Sequence, residues 1–272
     1  MTVSVSPCGH AASSGPVVLR ALRHGQSTAN AAWAQPPADH AATPPADHAA
    51  TFPADHAPTS RADHAATSRD GRAATFPADD MKIALTGLGR RQAADVGRWL
   101  SAPDRVPDIV WCSPYLRAGQ TWSLARRELI ATGRRVPCVR VDARLRDRHR
   151  GLLHHLPPAE VRERFPEEAG REEREGMLRY RPPDGESFMD VAARLRTVWQ
   201  DISGDMVHQR VLVVAHDAVV LFLRQIIEEL SGDEIMRIAS TGLAGNGSVT
   251  TWERQEDGFR LASYDFRDHL GV

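Results

Sequence analysis

Arg23-His24-Gly25, with Ser27 and Asn30 just beyond, closes the apolar run Val17 to Leu22 and sets an imidazole beside a guanidinium. Near pH 7 an ordinary imidazole is largely neutral and nucleophilic, and a phosphoryl group taken up by it leaves again once water is delivered. An adjacent arginine forks onto phosphoryl oxygens, and Gly25 allows close approach of the backbone to an anion. The apolar run reads as a strand, and ligands of open α/β sheets bind at the carboxyl ends of strands.

Three further segments supply partners for that pair. Ile109 to Cys112 reads as a buried strand, with Ser113 as N-cap and Pro114 as the first residue of a helix. Arg117 then falls in the first helical turn, where free amides and the helix dipole favour an anion. Leu145-Arg146-Asp147-Arg148-His149-Arg150-Gly151, after a candidate strand Val136 to Val141, places one carboxylate among basic residues. Val211 to Ala215 is an uninterrupted apolar run ending in His216-Asp217, the pattern of a strand buried on both faces. Two strand-end histidines and two arginines at one sheet edge would converge on a single anion.

With Leu85-Thr86-Gly87-Leu88-Gly89-Arg90 and Arg181-Pro182-Pro183-Asp184-Gly185-Glu186-Ser187 between them, these landmarks follow one order over residues 16 to 270. The chain thereby resembles the histidine phosphatase superfamily, the phosphoglycerate mutase-like proteins, in the branch with the Arg-His-Gly motif. Phe165-Pro166-Glu167-Glu168 and the stretch from Tyr180 add a likeness to fructose-2,6-bisphosphatase-like and broad phosphatases. The resemblance implies a three-layer α/β/α sandwich with a mostly parallel central sheet. It implies His24 as the phosphate-accepting nucleophile, with Arg23, Arg117 and His216 holding phosphoryl oxygens, helped by Asn30 and Ser27. The family's usual glutamate proton donor is here Asp147, shorter by about 1.5 Å. Asp217, where a glycine is common, is the alternative donor. The implied reaction is metal-independent hydrolysis of a small phosphorylated metabolite, with no cofactor. Mutase-type phosphoryl transfer and a non-catalytic phospho-ligand-binding scaffold are the alternatives. Arg179, Arg181 and His154 or His155 are candidates for holding a second anionic group.

Composition agrees. A chain of 272 residues that is 42% hydrophobic can bury one substantial core, and 34 basic against 35 acidic residues argue against a general nucleic-acid binder. Cys8, Cys112 and Cys138 form no metal or disulfide framework, and no apolar stretch approaches membrane-spanning length. A cytoplasmic placement, away from membranes, is expected. Gly89 to Leu100, the segment after Ser187, and Ala218 to Leu230 have helical periodicity, and a terminal hairpin is expected across Gln255 to Gly258. Residues 1 to 15 read as a loose tail before a domain of 16 to 272. One segment interrupts it: an octapeptide array with His40, His48, His56 and His64 at constant spacing, expected as a disordered insertion over about 34 to 79.

Overall fold

The computed structural model describes residues 16–34, 65–67, 73–75, 80–154, 156–206 and 209–271. The N-terminal tail, most of the octapeptide array with its four histidines, and His155 lie outside the described residues. Among the described residues the strands are β1 (Val18–Arg23), β2 (Ala65–Thr67), β3 (Ala73–Thr75), β4 (Ile109–Cys112), β5 (Cys138–Val141), β6 (Arg210–Ala215), β7 (Val249–Gln255) and β8 (Gly258–Phe266). The helices are α1 (Thr28–Trp33), α2 (Gly87–Leu100), α3 (Leu116–Ala131), α4 (Pro158–Arg164), α5 (Pro166–Glu175), α6 (Phe188–Asp205), α7 (Asp217–Ile227) and α8 (Gly232–Thr241).

Six strands form one mixed sheet in the order β5-β4-β6-β1-β7-β8. The first four run parallel, and the β7–β8 hairpin adds an antiparallel edge to β1. Alternation along β6 shows why three layers form. Val211, Val213 and Ala215 pack with Val191, Leu195, Val198 and Ile202 of α6 and the apolar residues of α7. Leu212 and Val214 face the other way, against Val96 and Leu100 of α2 and Ala118, Trp122 and Leu129 of α3. Side chains that alternate between two helical layers require a strand apolar at successive positions, as β6 is from Val211 to Ala215.

Register places the chemistry. Arg23 is abreast of Ala215 across β1 and β6, and Cys112 is abreast of Val214 across β4 and β6. His24, Ser113 and His216 therefore leave three adjacent parallel strands at the same edge. The ladder continues into the loops, with His24 N donating to Ala215 O at 3.0 Å and Ser113 N to Val214 O at 2.9 Å.

The array departs from and returns to this edge. Ser27 and Leu85 form an antiparallel bridge, with Thr28 N donating to Ala84 O and Thr86 N to Gln26 O. Tying the ends together lets the sheet tolerate a long insertion, because loop-closure entropy grows only slowly with length. Within the array, Ala65–Thr67 and Ala73–Thr75 pair as a short antiparallel ladder, regular structure that the composition did not foretell.

Gly25 has a packing role as well. A Cβ there would lie 2.3 Å from Gly89 O, and one on Gly89 would lie 2.0 Å from Gln26 O. The two glycines let the loop after β1 lie directly on the start of α2. Gly89→Ala is expected to destabilise the fold by about 1–3 kcal/mol, the cost of forcing extra volume into a packed site. An unchanged urea midpoint would show that this contact is not needed.

Candidate active site

Arg23, His24, Ser27, Asn30, Arg117, Asp147 and Asp217 line a single cleft of about 650 Å³ at the carboxyl edge of the sheet. His216 lies wholly buried beside it, its ring T-shaped to that of His24 at 5.2 Å between centroids. All the principal candidates from the sequence thus converge, although Arg23 and Asp217 are separated from each other by most of the chain.

The tautomer of His24 can be identified. Its Nδ1 lies 2.7 Å from Gly25 O, and a carbonyl only accepts, so Nδ1 carries the proton. Nε2 is left with its lone pair, toward which Arg117 Nε donates at 3.2 Å. Burial, then the neighbouring His216, Arg117 and Arg23, hold the His24 imidazole well below its ordinary pKa. A neutral ring with Nε2 unprotonated is the form that attacks an electrophile.

His216 is oriented from behind. Ser113 Oγ accepts from Tyr115 N at 3.3 Å and lies 2.8 Å from His216 Nε2. With the backbone amide filling an acceptor position, the hydroxyl proton is free to point at Nε2, which leaves Nδ1–H facing Asp147 Oδ2 at 3.4 Å. Burial and Arg117 lower the pKa of His216 as well. Ser113 therefore does not cap α3 as its position before Pro114 suggested. The helix begins at Leu116 with Tyr115 as N-cap, and the serine hydroxyl is committed to the imidazole.

Arg117, buried in the first turn of α3, has every N–H engaged. Besides Nε, its Nη1 donates to Asp80 O at 2.9 Å and Asp80 Oδ1 at 3.1 Å. Its Nη2 donates to Asp80 Oδ2 at 3.3 Å and Asp147 Oδ2 at 3.0 Å. Two carboxylates stand where a bound tetrahedral anion would find its donors. Arg117 and His154 overcome the cost of burying Asp80 and hold its carboxyl well below the usual range. Asp80 directly follows the octapeptide array, and no local sequence signal marked it.

Ser27 and Asn30 act together. Ser27 is the N-cap of α1, its Oγ accepting from Asn30 N at 3.2 Å and donating to Asn30 Oδ1 at 2.9 Å. Asn246, which sequence reasoning missed, donates from Nδ2 to both His24 O and Asn30 Oδ1 at 3.1 Å. The serine hydroxyl is thus spent on the cap, and the Asn30 amine is the donor left to face the cleft. Thr121 was missed as well: it accepts from Gly25 N at 3.1 Å and ties the loop after β1 to α3.

The two candidate acids differ in setting. Asp147 lies against Arg117 and His216. Its loop is fixed by Arg194, which donates to Asp147 O at 3.3 Å and pairs with Glu186. Asp217 begins α7, pairs with Arg23 Nη2 at 2.9 Å and accepts from Ala218 N at 2.6 Å. Burial pushes the Asp217 carboxyl upward against the opposing pull of Arg23.

The proposed second-anion residues divide. His154 lines the cleft, whereas Arg181 pairs with Asp190 at 2.6 Å and Arg179 is not part of the lining. The capping-box carboxylate of α6 claims Arg181. Arg148 and Arg150 face the cleft instead. Among the described residues no cluster of His, Cys, Asp or Glu is placed to hold a metal ion, and no helix is long and apolar enough to cross a membrane.

Comparison with known proteins gives this geometry a family. The phosphoglycerate mutase of Nitrobacter winogradskyi that depends on 2,3-bisphosphoglycerate is 35% identical over 167 residues, 58% of this chain and 76% of that protein. The corresponding mutase of Tropheryma whipplei is 30% identical, over 57% of this chain and 77% of its own. Among solved structures, the alpha-ribazole phosphatase of Shigella flexneri superimposes with a TM-score of 0.63 at 18% identity, covering 94% of this chain and 98% of its own. A mycobacterial glucosyl-3-phosphoglycerate phosphatase does so with a TM-score of 0.60 at 24% identity, over 92% and 100%. These two share the fold. The sequence profile of the histidine phosphatase superfamily (branch 1) matches residues 64–266, beginning beyond the segment that carries Arg23 and His24. Strand β1 nevertheless returns those residues to the centre of the sheet, and the chain belongs to the histidine phosphatase superfamily.

Proposed function

We propose that the protein hydrolyses phosphate monoesters through a phosphohistidine at His24. The observation that carries this reading is the neutral His24 imidazole, its Nε2 unprotonated and met by Arg117 Nε, in a cleft that Arg23, Arg117, Arg148 and Arg150 line. Nε2 attacks phosphorus, forming the P–N bond as the P–O bond to the organic group breaks. The Asp147 carboxyl gives its proton to the departing alkoxide. Water then attacks phosphorus, its proton passes to Asp147, and the P–N bond breaks to release inorganic phosphate. Arg23 and Arg117 supply fixed positive charge to the equatorial oxygens throughout, and the neutral His216 ring contributes an N–H donor.

Mutase chemistry is the second reading, favoured by the 35% identity to a phosphoglycerate mutase. A mutase must keep and reorient a phosphorylated acid without losing phosphate to water, which calls for polar groups around the intermediate. The wall formed here by Leu221, Phe222, Met236 and Leu243 offers none, which supports hydrolysis, and Arg148, Arg150 and His154 elsewhere in the lining are the groups a mutase would use. Phosphate release that needs no bisphosphoglycerate separates the two.

Occupancy of Arg117 by Asp80 yields a further expectation. An incoming phosphoryl group must displace that carboxylate, so Asp80→Ala should tighten competitive inhibition by inorganic phosphate about tenfold, equivalent to some 1.4 kcal/mol. An unchanged inhibition constant would mean that Asp80 leaves Arg117 at no cost.

A further inference from the structure

Beyond the phosphoryl-binding residues the cleft changes character. Leu221 and Phe222 of α7, Met236 and Ala239 of α8, and Leu243 just after it form one wall, and Phe188 at the start of α6 continues it. Leu243 is 42% exposed and Met177, also in the lining, 45%. Apolar side chains left open to solvent inside a concave site are a surface that a ligand covers. The cations on the far side do not compensate. Arg148 stacks over Phe188 at 3.9 Å and donates to Glu186 O, while Arg150 donates to Leu156 O. Both guanidinium groups are turned at least in part to backbone carbonyls.

We propose that the organic group of the substrate is bulky and apolar, an aryl-bearing or branched-alkyl alcohol seated against the α7–α8 wall with its phosphate at His24. This rests on the phosphomonoester reading above and names the substrate class for it. A three-carbon acid would leave most of a cleft of about 650 Å³ as water against hydrocarbon. An apolar alcohol displaces that water, and the hydrophobic gain is proportional to the area covered.

The test compares naphthylmethyl phosphate with glycerol 3-phosphate on the full chain. Both lose a primary alkoxide, so leaving-group reactivity is matched. Wild type is expected to favour the naphthylmethyl ester in kcat/KM by about tenfold or more, the discrimination that a few apolar groups provide. Leu243→Glu and Ala239→Trp, which introduce charge and bulk into the wall, should each reduce that ratio severalfold. Circular dichroism and thermal unfolding establish that both variants are folded. A wild-type ratio near one, or ratios unmoved in both folded variants, would overturn the proposal while leaving the phosphatase reading intact. Were neither ester hydrolysed, the phosphatase reading would fail. Calorimetric binding of the same two esters would then decide the proposal, with tighter naphthylmethyl binding supporting it and equal binding overturning it.

Discussion

His24→Ala is expected to lower phosphate-ester turnover by about four to six orders of magnitude, the scale seen when a member of a nucleophilic catalytic unit is removed. The ring is buried, and its Nδ1–H bonds only the carbonyl of the next residue, so its loss leaves the sheet pairing unaltered. Thermal unfolding should change modestly beside the loss of activity, and a variant retaining a tenth of wild-type turnover would exclude His24 as nucleophile. The same burial fixes the pH behaviour. With the folded pKa of His24 depressed, the neutral nucleophile persists below about pH 6.5, so the acid limb of kcat/KM should lie below the ordinary imidazole range. Stability follows the same sign. His24 and His216 bind protons more readily unfolded than folded, so their contribution is complete above about 6.5 and is lost as pH falls toward their folded values.

Asp147→Asn is expected to cost 10²- to 10⁴-fold (about 3–5 kcal/mol) on alkyl phosphates, and markedly less on nitrophenyl phosphate, whose leaving group departs without a proton. Asp217→Asn should cost less on alkyl esters and act mainly on KM, because its carboxylate holds Arg23 at 2.9 Å. The two carboxyls present opposing claims. Position favours Asp147, which touches Arg117 and His216, whereas burial makes the protonated form easier to reach for Asp217. Proton transfer requires contact before it requires a matched pKa, and on that ground we favour Asp147. If the Asp217 variant instead showed the larger, leaving-group-dependent loss, the acid role would move to it.

The legible part of this site was the part written in strands. His24 and His216 each end an apolar run, and parallel strands in register bring such ends together, so two local patterns amounted to a tertiary contact. Arg117 was legible because a short strand followed by a helix start points its first turn to the same edge. The mixed character of the sheet was visible only as a terminal hairpin, whose attachment to β1 rather than to an outer strand has no local signature. Ser113 illustrates a competition that sequence cannot arbitrate, since a hydroxyl before proline suits a helix cap, and the imidazole of a residue 103 positions away took it. Asp80, Thr121 and Asn246 act through partners distant in the chain, and residues of such common types carry no periodicity to reveal them. Arg181 was misread for a related reason, because a nearby capping carboxylate offered it a local partner.

The central claim is the covalent intermediate, and the most direct measurement is to trap it. Enzyme mixed with ³²P-labelled nitrophenyl phosphate, quenched within milliseconds in alkali and mapped by peptide, should carry label on the peptide containing His24. Label should be absent from His24→Ala and should accumulate in Asp147→Asn, where the base for the water step is missing. Turnover with no labelled peptide in either wild type or Asp147→Asn, or label on a residue other than His24, would contradict phosphohistidine catalysis by this chain.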